Sequence, residues 1–254
     1  MDSYIICSTP RTGSTLLCDL LSSTGIAGQP DSFFMQNPDP IWVAEWGLPK
    51  SGDVEDPEYC VAFINAALKA GRGETKIFGL RLMWESLKPL MNLIDGTYPE
   101  LTSDRARLRA AFGETLFIHL TREDKLDQAI SMVRAEQTGL WHIAPDGTEV
   151  ERLSQPEEPE YNFERISANR VELEQHDQHW EKWFATQDIK PLRIRYENLS
   201  ANPLAIVECI CQNLDAGKPS PDDLEPGVAK MADSTSLEWK RRFQRDAFSH
   251  AIAD

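Results

Sequence analysis

The sequence predicts an α/β protein with three layers, in which helices flank a central parallel β-sheet. Four short apolar runs are each followed by a segment with helical spacing, and this alternation is typical of parallel sheets. At 254 residues, the chain is long enough for a single domain, 1–254, with a substantial core. The runs are YIICS, KIFGLRL, TLFIHL and KPLRIRY, and the helices are predicted over residues 15–24, 84–95, 124–138 and 203–214.

The chain carries 26 Lys and Arg residues and 41 Asp and Glu residues, which gives a formal net charge of −15 at pH 7. Because an acidic surface repels phosphate backbones, nucleic acid is not predicted as a partner. Any anion site is expected to be a local basic pocket. No apolar run is long enough for an integral membrane segment, and the N-terminus lacks the features of a signal peptide. These observations, with an odd number of cysteines, predict a cytoplasmic protein with free thiols.

The first predicted strand leads into a short polar turn and then a helix. Residues 3–25 read SYIICSTPRTGSTLLCDLLSSTG, and the turn consists of Pro10, Arg11, Thr12, Gly13, Ser14 and Thr15. The free N–H groups of a helix that begins near Ser14 favour an anion, and the Arg11 guanidinium suits two oxygens of a phosphate or sulfate. The Gly-Lys pair of a nucleotide triphosphate loop is absent, so the turn predicts one terminal phosphate-like group and no metal. The alternative is a Pro-Arg turn that Thr or Ser caps.

The third predicted strand is followed by a second candidate anion site. In LFIHLTREDKLDQAISMVRAEQTGLW, Arg122 stands where the strand ends and Ser131 lies off the apolar stripe of the following helix. The carboxyl ends of parallel strands are where ligands bind in such folds. We therefore predict that Arg122 and Ser131 hold a second phosphate. The alternative is a surface ion pair between Arg122 and Glu123 or Asp124.

The last predicted strand, in RIRYENLSANPLAIVECICQNL, is followed by a polar turn and by Pro203, which suits the first position of a helix. A long helix precedes this strand and carries His176 and His179 three residues apart. With no third ligand evident nearby, these histidines are interpreted as part of a solvated helix face, and no metal is predicted. His119 and His142 form no Ser-His-Asp set.

Taken in order, these segments resemble the sulfotransferases that use 3′-phosphoadenosine 5′-phosphosulfate (PAPS). More closely, the chain is similar to the bacterial carbohydrate sulfotransferases of the trehalose sulfotransferase-like family, over residues 3–246. The resemblance implies a P-loop-like sulfotransferase fold, PAPS as donor, no metal, a carbohydrate or glycolipid acceptor and a possible homodimer. The motifs that carry it are STPRTGSTLL, GQPDSFF, FGLRLMW, QAISMVRAEQTGLW and EWKRRFQRD.

The resemblance also implies roles for individual residues. The first turn binds the 5′-phosphosulfate, with Arg11 also acting in catalysis, while Arg122 and Ser131 bind the 3′-phosphate. Arg81 occupies a family position near the donor. The basic C-terminal segment is expected to contact a phosphate through Arg242 and Arg245, because it stands out in an otherwise acidic chain.

Sulfuryl transfer requires in-line attack by a hydroxyl on sulfur and a group that accepts the hydroxyl proton. The family places an acidic base in the segment GQPDSFF. Some members have Glu where this chain has Ser32, and others have an acidic residue at the position of Asp31. We therefore predict Asp31 as the base, with Ser32 beside it. The alternative for Asp31 is a local turn after Pro30.

The acceptor site is expected between two long loops, segments 36–58 and 144–161, which are rich in Pro, Gly and acidic residues. Ser32, Phe33, Trp84 and Trp141 are predicted to contact the acceptor. Two other functions remain open. A P-loop kinase or nucleotide hydrolase would need ATP and magnesium, and a non-catalytic sulfotransferase-like protein would bind the donor without consuming it.

Overall fold

The computed structural model describes residues 1–35, 39–49 and 56–253. Within these ranges the strands are β1 (Ser3–Ser8), β2 (Phe78–Met83), β3 (Thr115–Thr121), β4 (Leu140–Ile143), β5 (Glu149–Arg152) and β6 (Leu192–Arg195). The α-helices are α1 (Ser14–Ser23), α2 (Pro40–Glu45), α3 (Pro57–Arg72), α4 (Trp84–Thr97), α5 (Asp104–Phe112), α6 (Lys125–Thr138), α7 (Phe163–Thr186), α8 (Tyr196–Ala201), α9 (Pro203–Leu214) and α10 (Ser234–Ala253).

The central sheet consists of the four strands that the sequence predicts, in the order β2-β1-β3-β6. All three pairings between neighbouring strands are parallel. Each predicted helix is also present, and α9 has the predicted bounds. The prediction of a parallel α/β sheet flanked by helices is therefore confirmed.

The alternation of side chains along β1 divides the core into two layers. Ile5 and Cys7 pack into an aromatic core with α3, α4, α5 and α7, whereas Tyr4 and Ile6 pack on the opposite face with α1 and α9. Because successive side chains of a strand point to opposite faces, a central strand covered on both sides must be apolar throughout. All six residues of β1 are buried. Each fully buried large apolar side chain contributes about 1.5–3 kcal/mol to stability.

Two predicted loops contain regular structure. Segment 144–161 includes β5, which pairs with β4 in an antiparallel hairpin. The residues of β5 are mostly exposed and polar, so the strand has no apolar pattern by which the sequence could reveal it. Segment 36–58 includes α2 and the start of α3, and its residues 36–38 and 50–55 lie outside the described residues.

None of the described helices is long and apolar enough to cross a membrane. The cysteines are free, as predicted, and Cys209 is the exposed one among them.

The segment that carries Asp31 runs beside the edge strand β2. Its course begins at Gly28, after which the Gln29 N–H donates to the Gly71 carbonyl over 2.8 Å. The Arg81 N–H donates to the Asp31 carbonyl over 3.0 Å, and Asp31 forms a parallel bridge with Leu80. This pairing places Ser32 next to Arg81, at the end of β2.

Replacement of Gly28 by alanine should destabilise the fold more than the same change at Gly25. Both glycines have positive φ, at 79° and 66°. A Cβ at Gly28 would lie 2.7 Å from the Gly71 carbonyl oxygen and even closer to that of Ile77, whereas a Cβ at Gly25 meets nothing within 4 Å. We expect Gly25→Ala to cost about 1 kcal/mol and Gly28→Ala about 2–4 kcal/mol. Urea unfolding of both variants measures the difference, and equal losses would contradict it.

Candidate active site

A cavity of about 790 Å³ opens at the carboxyl ends of the sheet strands. The turn after β1, the end of β2, the residue after β3 and the residue after β6 all contribute to its wall, together with α6, the β4–β5 hairpin and the start of α10. Its described lining has four acidic side chains and seven basic ones, in a chain with a net charge of −15. We call it the cationic cavity. The basic residues are Arg11, Arg81, Arg122, Arg134, Arg152, Lys230 and Lys240.

The turn after β1 has a backbone that few residues adopt. Arg11 has a φ of 63° and Gly13 a φ of 80°. A Cβ at Gly13 would lie 2.5 Å from the ring of Tyr196, the residue that follows β6, so only glycine fits there. A non-glycine residue at positive φ costs free energy that the surrounding contacts must offset.

Those contacts come from buried polar side chains. Gln128 of α6 donates from Nε2 to the Thr9 hydroxyl over 2.9 Å and to the Pro10 carbonyl over 2.6 Å. The Thr12 hydroxyl donates to the Thr9 carbonyl over 2.8 Å. Gln128 is completely buried, which makes it a residue that holds the turn in place. Sequence analysis missed this role, because a glutamine within a helix has no local signal for it.

The turn is also the N-terminus of α1, and no side chain in the described part of the chain caps that helix. Gly13 at the N-cap position offers no side-chain acceptor, so the first N–H groups of α1 are available to a ligand. Uncapped N–H groups and the helix dipole together favour an anion at this point. Pro10, Gly13, Ser14 and Thr15 line the cavity as predicted, whereas the Thr12 side chain is buried within the turn.

Arg11 lies across the floor of the cavity. Its Nε donates to the Ser131 hydroxyl over 3.0 Å, and its Nη1 donates to the Trp141 carbonyl over 2.5 Å. Burial, and then the charge of Arg122, lower the pKa of Arg11 to about 10. Two buried guanidinium groups repel each other, so a bound anion between them is favoured.

The Arg122 side chain has a hydrogen-bond donor that a ligand could use. Its guanidinium lies over the Tyr196 ring at 4.8 Å, and its Nη1 donates to the Arg11 carbonyl over 3.3 Å. Its Nε is buried and has no hydrogen-bond partner within the described part of the chain. A buried donor without a partner costs free energy, and an anionic oxygen of a ligand would accept a hydrogen bond from it. The structure thus brings the predicted pair, Arg122 and Ser131, to one cavity through their contacts with Arg11.

Arg81 connects the turn to the segment beside β2. Its Nε donates to the Ser32 hydroxyl over 2.7 Å, and its Nη1 donates to the Thr15 hydroxyl over 2.6 Å. Its Nη2 lies 3.4 Å from an Asp31 carboxylate oxygen that also accepts from the Ser32 N–H over 2.6 Å. Ser32 lines the cavity, but Asp31 is not among the described lining residues. The Asp31 carboxylate is thus held by Arg81 and by the Ser32 N–H, while its side chain stays about half exposed.

The β4–β5 hairpin brings a histidine to the turn, although sequence analysis assigned His142 no role. Its Nε2 lies 3.0 Å from the Thr15 hydroxyl and 3.5 Å from a carboxylate oxygen of Glu151 on β5. Burial, followed by the charges of Arg11 and Arg81, lowers the pKa of His142 to about 4. His142 and Glu151 meet only because the hairpin pairs their strands, a pairing that was not predicted from the sequence.

Two of the predicted acceptor contacts, Phe33 and Trp84, are not among the described residues that line the cavity. Phe33 packs on Trp42, with ring centroids 5.1 Å apart, and Trp84 packs on Trp180 at 5.2 Å. Phe33 is buried in the core, and Trp84 is partly buried against it. Trp141, in contrast, lines the cavity.

Arg242 and Arg245 are exposed on α10. The Arg242 guanidinium lies over the Tyr161 ring at 4.1 Å. Lys240 is the residue of this basic segment that reaches the cavity, where it contacts Asp124 and Asp127. Positions 240 and 242 are about 200° apart around a helix, so only one of them faces the cavity.

His176 has acidic neighbours that the sequence did not indicate. Glu172 precedes it by one helical turn, and Glu85 of α4 lies 3.6 Å from its Nδ1. Ligand-type atoms of these three residues lie within 4.8 Å of one another. Both glutamates are exposed, so the group belongs to the protein surface, away from the cationic cavity.

Comparison with known proteins decides the family. The family model described as Stf0 sulphotransferase matches residues 3–246. The chain belongs to this family. It is therefore a sulfotransferase, and the resemblance inferred from the motifs is confirmed.

Two curated relatives match almost the whole chain. The trehalose 2-sulfotransferase of Mycobacterium tuberculosis (strain ATCC 35801 / TMC 107 / Erdman) is 31% identical over 263 residues, which cover 96% of this chain and 95% of the relative. The trehalose 2-sulfotransferase of Mycolicibacterium smegmatis (strain ATCC 700084 / mc(2)155) is 28% identical over 267 residues, with the same coverage.

His142 should stay neutral well below the pH at which an ordinary histidine is protonated. The folded state disfavours the protonated ring, whose pKa is near 4. The free energy of unfolding should therefore decrease as the pH falls from about 6.5, the ordinary pKa of histidine, towards 4. Arg81→Met removes one neighbouring charge and should raise the pKa. NMR titration of the His142 ring measures both values, and a pKa at or above the ordinary range in the unmodified protein would contradict the assignment.

Proposed function

We propose that the protein transfers a sulfuryl group from PAPS to a hydroxyl of a carbohydrate, with trehalose as the first candidate acceptor. The observation that carries the proposal is the cationic cavity, in which Arg11 and Arg122 converge on an uncapped helix N-terminus. A donor with two separated anionic groups suits such a site better than a single phosphate does.

The polar groups of the cavity support PAPS as the donor. The turn at Arg11 and the first N–H groups of α1 form a cradle for the 5′-phosphosulfate. Arg122, with its unpartnered Nε, and Ser131 would hold the 3′-phosphate. The turn has no lysine after Gly13, and Arg81 and His142 already contact the Thr15 hydroxyl. This arrangement favours a phosphosulfate over a triphosphate with magnesium.

A carbohydrate acceptor is supported by the names of the two mycobacterial relatives and by the wall of the cavity beside the turn. That wall contains Trp141, and the β4–β5 hairpin adds the polar side chains of Glu151 and Arg152. Aromatic and polar groups side by side suit a sugar, which has apolar faces and many hydroxyls. The segment 144–161, predicted to shape the acceptor site, supplies part of this wall.

Arg11 is proposed to act in catalysis as well as in binding. Charge develops on the bridging oxygen of the leaving phosphate, and a fixed cation near that oxygen lowers the barrier. The proton acceptor must lie within reach of the acceptor hydroxyl, and Asp31 remains a prediction for this role. A homodimer and a cytoplasmic location remain predictions.

The donor assignment predicts a clear nucleotide preference. 3′-Phosphoadenosine 5′-phosphate (PAP) should bind more tightly than 5′-AMP, because only PAP has a 3′-phosphate for Arg122. Arg122→Ala should lower the affinity for PAP by about 10–100-fold and the affinity for 5′-AMP far less. Calorimetry measures both affinities. The control is Arg195→Ala, which removes an exposed arginine paired with Glu123 near the same sheet edge. Equal affinity of the unmodified protein for both nucleotides would rule out this donor site.

The alternative functions make different demands on the cofactor. Transfer from labelled PAPS to trehalose should persist in EDTA, and ATP with magnesium should give no phosphorylated sugar. A kinase would show the reverse, with activity that chelation removes and magnesium restores. A non-catalytic binding protein would hold PAPS without releasing PAP in the presence of any acceptor.

A further inference from the structure

A proton acceptor for the transfer has to lie in the cationic cavity near the turn that holds the donor. Four acidic side chains line the described part of the cavity, and two of them are already engaged by cations. Lys240 and Arg122 contact Asp127, and Arg134 contacts Asp233. Within the described residues, no hydrogen bond joins either carboxylate to residues 10–15.

His142 is a candidate proton acceptor that contacts the turn directly. Its Nε2 is 3.0 Å from the hydroxyl of Thr15, in the first turn of α1, and the residue lines the cavity. The Thr15 oxygen already accepts from Arg81, so its own hydrogen is free to be donated to Nε2. We assign the ring hydrogen to Nδ1 on this basis, which leaves Nε2 with a lone pair towards the turn.

We propose that His142 is the general base of the transfer and that Glu151 stabilises its protonated form; this rests on the proposed function. The acceptor oxygen forms a bond to sulfur while the bond between sulfur and the bridging phosphate oxygen breaks. That bridging oxygen keeps the electron pair, and PAP leaves with the added negative charge. The acceptor hydroxyl displaces the Thr15 hydroxyl from Nε2 of His142 and gives its proton to this nitrogen. The ring becomes an imidazolium 3.5 Å from the Glu151 carboxylate.

Donor binding should increase the basicity of His142. Three charged side chains face it: Arg11 from the turn, Arg81 from β2 and Glu151 from β5. Burial and the two arginines outweigh Glu151 and keep the pKa low in the free protein. An anionic donor beside Arg11 and Arg81 compensates their charge and raises the pKa, since a nearby negative charge favours the protonated ring. The base thereby gains strength when its substrate is in place.

Kinetics with labelled PAPS and trehalose test the role of His142. His142→Gln should lower kcat by about 10²–10⁴-fold, while the affinity for PAP, measured by calorimetry, stays unchanged and confirms that the variant is folded. The matched control is His176→Gln, which removes a histidine on α7 outside the described lining of the cavity and should leave kcat unaltered. The fall of kcat at low pH should be present in the unmodified protein and absent in His142→Gln.

A second measurement does not depend on turnover. NMR titration of His142 should show a pKa that rises by about one unit or more when PAP saturates the protein, and Glu151→Gln should lower that pKa. An unchanged pKa would overturn the proposal. So would near-normal turnover in His142→Gln, or a large loss in Asp31→Asn without one in His142→Gln. If the unmodified protein transfers no sulfuryl group from PAPS to trehalose, the proposed function fails instead.

Discussion

The turn after β1 is the constraint on which the rest of the site depends. Arg11 has a left-handed backbone there, and Gly13 lies so close to the Tyr196 ring that no Cβ fits. Such a turn persists only where its surroundings fix it. The buried Gln128 donates to the Pro10 carbonyl, and the Trp180 Nε1 donates to the Ser8 carbonyl over 3.0 Å. The helix N-terminus and the arginine therefore face the cavity.

Electrostatics give the turn its chemical character. The cationic cavity is lined by basic side chains in a protein with an acidic net charge. Burial strengthens the repulsion between these positive charges, and a bound anion offsets it. The effect reaches neighbouring groups, since burial and the arginines lower the pKa of Arg11 to about 10 and of His142 to about 4. Binding and protonation are thus linked through the same charges, which is why the donor and the proton acceptor need to be considered together.

The fold was largely predictable because its signals are local. The four parallel strands appear in the sequence as short apolar runs, and the helices between them as periodic ones. The first turn was predictable for the same reason: Pro10 to Thr15 form one short stretch between a strand and a helix. Arg122 and Ser131 could also be placed near it, because carboxyl ends of parallel strands meet at one edge.

The sheet, the helices, the turn and the family could be predicted from the sequence, since each depends on residues that are neighbours along the chain. Which side chains face the cavity depends on tertiary packing. The exposed strand β5, which carries Glu151, has no apolar pattern, and the phase of α10 selects Lys240 over Arg242. The pairing of its segment with β2 brings the Asp31 carboxylate to Arg81. These outcomes depend on contacts between distant segments, and such contacts form only when the chain packs.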